Sequence, residues 1–217
     1  GTQMIDGTLV AGEPGDLLQA GGGPDVPVVI GTTAIDLPAF FPPREDPLSY
    51  FGADAEAARA AYGAPEVLDQ ESLVRLLLSI GTDLTMHEPA RFVSRQMTAR
   101  GNPVWLYRFT YTAEATRPDA PAQSHAGELP FMFDRLAARY GDAVTANDQA
   151  TAAAFSTYVA NFVKNGDPNG AGVPEWPTFD PAGFDLLNFT LTDGPVYGPD
   201  PLGARIELVE RATDAQP

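Results

Sequence analysis

The chain contains no cysteine, so disulfides, thiolate catalysis and cysteine-bound zinc are excluded within it. Histidine is nearly as scarce: His87 and His125 are the two present, and without clustered carboxylates they do not make a metal site. Basic residues are few, 13 Lys and Arg against 29 Asp and Glu, giving a formal charge of -16. Such a surface repels phosphate backbones, which argues against nucleic acid as a partner. No apolar run is long enough to span a bilayer, so no membrane association is expected. Gly1-Thr2-Gln3 shows neither the basic region nor the apolar stretch of a signal peptide. The compartment is left open, with a secreted or periplasmic protein favoured over a cytoplasmic one. What remains is ordinary globular material: 217 residues, 44% hydrophobic and 10% aromatic, enough to bury a core.

Three segments read as strands. The Gly21-Gly22-Gly23-Pro24-Asp25 breaker cluster precedes Val26 to Thr33 (VPVVIGTT), a short β-branched run of the kind buried on both sheet faces. Val104 to Tyr111 (VWLYRFTY) is a second, and Leu186 to Leu191 a third. Helices are expected over Asp54 to Tyr62, Glu71 to Ile80, Pro89 to Arg100 and Ala146 to Lys164. In the last of these, Phe155, Tyr158, Val159, Phe162 and Val163 form one apolar stripe. Thr145 with Asp148 three residues on resembles a capping box, and Gly166-Asp167-Pro168 stops the helix. Strands separated by helices imply parallel β-α units, but two or three strands are few for a chain of this length. The segment from Thr112 to Gln123 reads as a loop, and the tail after Val209 as frayed.

Four segments, in order, resemble the type-B carboxylesterase family, which also contains the cholinesterases. They are Ile5-Asp6-Gly7 followed by VPVVIGTT; Asn102 to Tyr111 (NPVWLYRFTY); Ser124 to Phe133 (SHAGELPFMF); and Tyr158 to Asn169 (YVANFVKNGDPN) followed by Glu175-Trp176-Pro177. The resemblance implies an α/β fold, here the C-terminal portion of an α/β-hydrolase with residues 1–217 as one half of a catalytic domain. It also implies a Ser–Glu–His triad cleaving carboxylic esters without a cofactor. His125 matches the family's catalytic histidine, and Asp36 stands where the family usually has Glu, one methylene shorter. The serine is missing. None of the six serines, Ser49, Ser72, Ser79, Ser94, Ser124 and Ser156, lies in Gly-x-Ser-x-Gly, the elbow that exposes the nucleophile in this fold. In a family member that elbow and the oxyanion glycines precede the segment present here. The expected partners are therefore the N-terminal half of the same esterase, as a separate chain in a tight complex, and a small-molecule ester.

Each candidate has a plainer reading. Aspartates after strands often only shape turns, and Glu45 and Asp46 are fallback acids on the same loop. Glu128 is taken as a structural carboxylate and His87 as a helix-start or pocket-rim residue. Phe40, Phe41, Phe131 and Met132, with Phe133, flank the triad loops and would either line an acyl or alcohol pocket or belong to the core. Asn188-Phe189-Thr190 fits a glycosylation acceptor by pattern alone. Two further readings of the whole chain stay open: a non-catalytic binding or adhesion relative, and an inactive fragment.

Overall fold

The computed structural model describes residues 5–36, 46–120, 122–192 and 194–215. Its centre is a four-stranded sheet in the order β1-β2-β3-β4. The strands are β1 (Val28–Thr33), β2 (Val104–Phe109), β3 (Asp185–Thr190) and β4 (Gly194–Pro199). β1, β2 and β3 run parallel, and β4 returns antiparallel to β3. The helices are α1 (Pro14–Gln19), α2 (Ala55–Tyr62), α3 (Gln70–Thr82), α4 (Glu88–Ala99), α5 (Leu129–Met132), α6 (Leu136–Tyr140), α7 (Ala146–Asn165) and α8 (Gly203–Asp214). Parallel neighbours need long crossovers. Those from β1 to β2 and from β2 to β3 contain α2 to α4 and α5 to α7 respectively, as a partial α/β-hydrolase fold requires.

β2 is buried at all six positions, so both of its faces carry large apolar side chains. Trp105, Tyr107 and Phe109 meet Phe155 and Tyr158 of α7, with Phe131, Phe189 and Trp176 completing an aromatic core. Leu106 and Val104 point the other way, onto Ala90 and Met97 of α4. A third cluster joins α2 and α3 to α8 through Leu76, Ile80 and Val209. The α7 stripe is narrower than its spacing suggests: Phe155 and Tyr158 are buried, whereas Val163 is 77% exposed. Thr145 and Asp148 do form a capping box, the Asp148 N–H donating to Thr145 Oγ1 at 3.2 Å and the Thr145 N–H to Asp148 Oδ2 at 2.9 Å. Asp148 also accepts from the Tyr111 hydroxyl at 2.8 Å. That contact ties the end of α7 to the chain leaving β2, a reason for the shorter acid at this position.

Two expectations are corrected. The tail is not frayed at Val209: α8 continues to Asp214 with Val209 and Ala212 buried. Its charges help to dock it: Arg205 pairs with Asp83, Arg211 with Asp54 and Glu210 with Arg95. β4 was not expected at all. Its sequence, GPVYGP, carries turn residues, and it sits at the sheet edge, where prolines lacking a donor are tolerated.

One glycine is fixed by packing. A Cβ on Gly31 of β1 would collide with the ring of Tyr107 on the adjacent strand. Gly31→Ala should therefore lower stability by about 1–3 kcal/mol through overpacking, measured by denaturant unfolding. An unchanged midpoint would mean that the Tyr107 ring can move aside.

Candidate active site

The site is built where β1 and β2 run out. The parallel pairing that ends at Thr33 and Phe109 resumes after both loops. The Ile35 N–H donates to the Gln123 carbonyl at 2.9 Å, and Ile35 forms a parallel bridge with Ser124. The next residue on each side is Asp36 and His125, and Asp36 Oδ1 meets His125 Nδ1. The Asp36 side chain is 8% exposed and that of His125 55%, so the carboxylate is shielded while the ring reaches the open side. With Nδ1–H donating to the carboxylate, a neutral ring keeps Nε2 free to accept a proton.

The backbone of Asp36 is held independently of its side chain. Its N–H donates to Thr82 Oγ1 at 3.1 Å, and the same hydroxyl donates back to the Asp36 carbonyl at 3.1 Å. Thr82 ends α3, so a helix 46 residues away grips the acid's main chain. Asp36 Oδ2 lies 3.5 Å from the Thr33 N–H, the long limit of a hydrogen bond.

Glu128 stands one helical turn beyond His125. Its Oε2 is buried without a hydrogen-bond partner among the described residues. Burial pushes its carboxyl above the usual range, its own backbone N–H opposes this in part, the nearby Asp36 charge adds to the rise, and His125 opposes it least. Burial likewise raises the Tyr107 phenol, with the Glu128 and Asp36 charges adding to it. A cleft of roughly 460 Å³ opens beside His125 and is bordered by Gln123, Leu129, Arg139 and Tyr140.

The other sequence candidates fall in different places. Phe131 is fully buried, tilted against Phe109 and edge-on to Tyr111, so it is core and not pocket wall. Met132 borders an apolar groove of roughly 200 Å³ with Val29, Phe162 and Trp176. Phe133 is exposed. Phe40, Phe41 and Glu45 lie outside the described residues. Asp46 caps a 3₁₀ turn by accepting from the Leu48 N–H at 3.2 Å. Asn188 and Phe189 lie within β3, where Phe189 is buried and Asn188 Oδ1 accepts from Thr110 Oγ1.

His87 is not a rim residue. It is 2% exposed and sits in a π-helical turn between α3 and α4. Its Nδ1 lies 2.7 Å from Asp83 Oδ1 and its Nε2 2.9 Å from the Thr33 carbonyl. The Asp-x-x-x-His spacing within a helical stretch was the available sequence signal for this pair. Among the described residues no group of three or more His, Asp and Glu side chains is placed to hold a metal, and no helix is long and apolar enough to cross a membrane.

Two substitutions probe this geometry. Ala126, directly after His125, has φ 58°, in the left-handed region. An L-residue there costs about 1–2 kcal/mol, and glycine's extra unfolded-state entropy returns roughly 0.5–1 kcal/mol, so Ala126→Gly should be close to neutral. Ala126→Val should lose about 1–3 kcal/mol, because a branched Cβ worsens the clash; equal thermal midpoints for the two variants would contradict this. For Glu128, a raised native carboxyl means that the native state holds its proton over a range where the unfolded chain has released it. The resulting penalty is absent below the unfolded value near 4.5, grows as pH rises through the window and is complete above the native value. Glu128→Gln should thus raise stability at neutral pH and not at pH 4, as read by unfolding at both.

The carboxylesterase family model matches residues 51–196. The chain is 25% identical to mouse carboxylesterase 5A over 204 residues, covering 82% of this chain and 35% of that protein. It is 24% identical to rat liver carboxylesterase 1F over 205 residues, covering 82% of this chain and 36% of that protein. Over 95 residues it is 34% identical to human cocaine esterase, covering 42% of this chain and 17% of that protein. The chain thus spans about a third of the length of the first two relatives. With most of its length matched by the family model, and with the sheet and helices of a partial α/β-hydrolase fold, this chain belongs to the carboxylesterase family.

Proposed function

We propose that residues 1–217 form the C-terminal half of a serine carboxylesterase, completed by an N-terminal half that carries the nucleophile and the oxyanion donors. The observation that carries this reading is the contact between Asp36 and His125, two residues 89 positions apart brought together by the Ile35–Ser124 bridge. His125 Nε2 takes the serine proton as the hydroxyl attacks the ester carbonyl, and a tetrahedral oxyanion forms on donors of the other half. The same nitrogen then protonates the departing alkoxide, leaving an acyl-serine. Water attacks that ester in a second round, giving its proton to His125, and the carboxylic acid leaves as the serine is restored. Asp36 holds the ring by Nδ1 and stabilises the imidazolium at each step. The substrate is a small-molecule carboxylic ester, and no cofactor takes part.

Two features support the need for a companion. β1 pairs only with β2 among the described residues, leaving one edge with unfilled backbone donors and acceptors. Apolar surface is open near that edge. One groove is bordered by Val29, Met132 and Phe162, and a cleft of roughly 550 Å³ just beyond β1 is bordered by Ile35, Val74 and Leu78. A strand of the companion laid along β1 would fill the ladder, with the serine elbow brought to the end of the sheet where His125 waits.

The test is labelling of the purified pair with a fluorophosphonate serine probe, followed by intact mass measurement. One label on the companion, lost with His125→Ala together with at least about a thousandfold of the ester turnover, is the expected result. Asp36→Asn should also cost at least about a hundredfold, since the amide mis-sets the ring tautomer. A companion that takes no label would favour a non-catalytic binding relative, and no companion at all would mean that this chain is not an esterase by itself.

A further inference from the structure

The buried pair of His87 and Asp83 lies outside the triad, yet through the Thr33 carbonyl it touches the turn that carries the triad acid. Both ring nitrogens of His87 face groups that accept: Asp83 Oδ1 at 2.7 Å and the Thr33 carbonyl at 2.9 Å. A neutral imidazole has one N–H and would aim its lone pair at one of these acceptors; the ring satisfies both only when both nitrogens carry hydrogen. Asp83 is fitted to face such a ring. Burial pushes its carboxyl up, but hydrogen bonds and charge from His87, Arg205 and Tyr62 hold it below the usual range. Its Oδ2 accepts from the Tyr62 hydroxyl at 2.7 Å and from Arg205 Nε and Nη2 at 3.0 and 2.8 Å. The charged or titratable groups facing this pair are thus Tyr62 from α2 and Arg205 from α8, with the Thr33 carbonyl from β1 and Asp36 beyond it.

Thr33 is the entry to the acid turn. Its hydroxyl donates to the Ile35 carbonyl at 3.2 Å, its N–H faces Asp36 Oδ2, and its carbonyl takes the His87 contact. At the exit, Thr82 holds the Asp36 backbone at both N–H and carbonyl. Thr82 and Asp83 are consecutive, and His87 closes the π turn that follows. One helix junction therefore holds both ends of the segment from Thr33 to Asp36. π-Helical turns often mark functional sites because they redirect side chains that a regular helix would aim elsewhere.

We infer that His87 is a positioning residue for the triad acid, a doubly hydrogen-bonded clamp between Asp83 and Thr33 that fixes where Asp36 meets His125. The inference rests on the esterase reading above. Loss of the clamp lets the Thr33–Asp36 turn shift, which misaligns the imidazole in the transition state while leaving ester binding largely intact. A displacement of about 1 Å in such a constellation is enough to cost up to roughly a hundredfold in rate.

The test uses this chain isotope-labelled on histidine and joined to its unlabelled N-terminal half. Because His87 and His125 are its two histidines, His125→Ala assigns the ring signals. In the wild type, the His87 ring N–H signals should be hydrogen-bonded and protected from exchange with solvent, and a ring lacking such signals would overturn the clamp. His87→Phe, with His87→Gln as the milder change should the first not fold, should lower kcat about tenfold or more with KM within about twofold. It should also shift the His125 ring resonances. A folded variant with unchanged kcat and unchanged His125 resonances would overturn the inference. If the wild-type pair takes no fluorophosphonate, the esterase reading fails by itself, and the His125 resonances of wild type and variant still decide whether His87 positions the acid turn.

Discussion

The site depends on one backbone interaction, the donation from the Ile35 N–H to the Gln123 carbonyl. β1 and β2 stop pairing at Thr33 and Phe109, and the chain from β2 then travels through a long loop before it returns. Because Ile35 and Ser124 re-enter a parallel bridge, the two loops are registered as if the sheet had continued. Register in a sheet decides which face each side chain takes, and a slip of one residue reverses it. At the following position on both sides the chain carries Asp36 and His125, so a backbone pairing fixes a side-chain encounter.

Much of this was legible in sequence, for physical reasons that differ by element. β2 announces itself because both of its faces are buried, which demands a continuous β-branched and aromatic run. β1 is legible from the same kind of run, although only Thr32 and Thr33 are buried in it. α7 is legible from its stripe and its cap, although Val163 at the edge of that stripe is exposed while the adjacent Phe162 packs against Trp105. β4 is hidden by its glycines and prolines, which an edge strand tolerates. His125 and Asp36 were reachable through motif likeness, but their contact spans 89 residues and no local pattern encodes it. His87 illustrates the converse. Its partner Asp83 lay at helical spacing in plain view, while the third member, the Thr33 carbonyl, is a backbone atom 54 residues away and has no sequence signature.

The acidic excess also conceals how the few basic side chains are used. Arg108 on β2 pairs with Asp200, both nearly buried. Arg205 pairs with Asp83 in the interior, and Arg95 with Glu210 where α4 meets α8. Buried pairs of this kind add little net stability over apolar packing, but removing one partner is costly because a charge is stranded. Their effect here is placement. Arg205 holds α8 against the α3–α4 junction, the same junction whose Thr82 and His87 hold the acid turn, and Arg95 holds it further along α4. A -16 surface thus surrounds an interior in which arginines decide the position of one helix.

The aspartate at position 36 gives that placement its consequence. A side chain one methylene shorter than glutamate has fewer torsions to order, which lowers the entropic cost of fixing it. It also has less reach, so the main chain must deliver the carboxylate to the imidazole. A long acid on a loosely held loop could correct small backbone shifts by rotating; a short one cannot. The two hydrogen bonds from Thr82, the bridge at Ile35 and the His87 contact on Thr33 supply the rigidity that the shorter side chain requires. In this chain the geometry of the acid–histidine pair is therefore a property of the α3–α4 junction as much as of the two residues that touch.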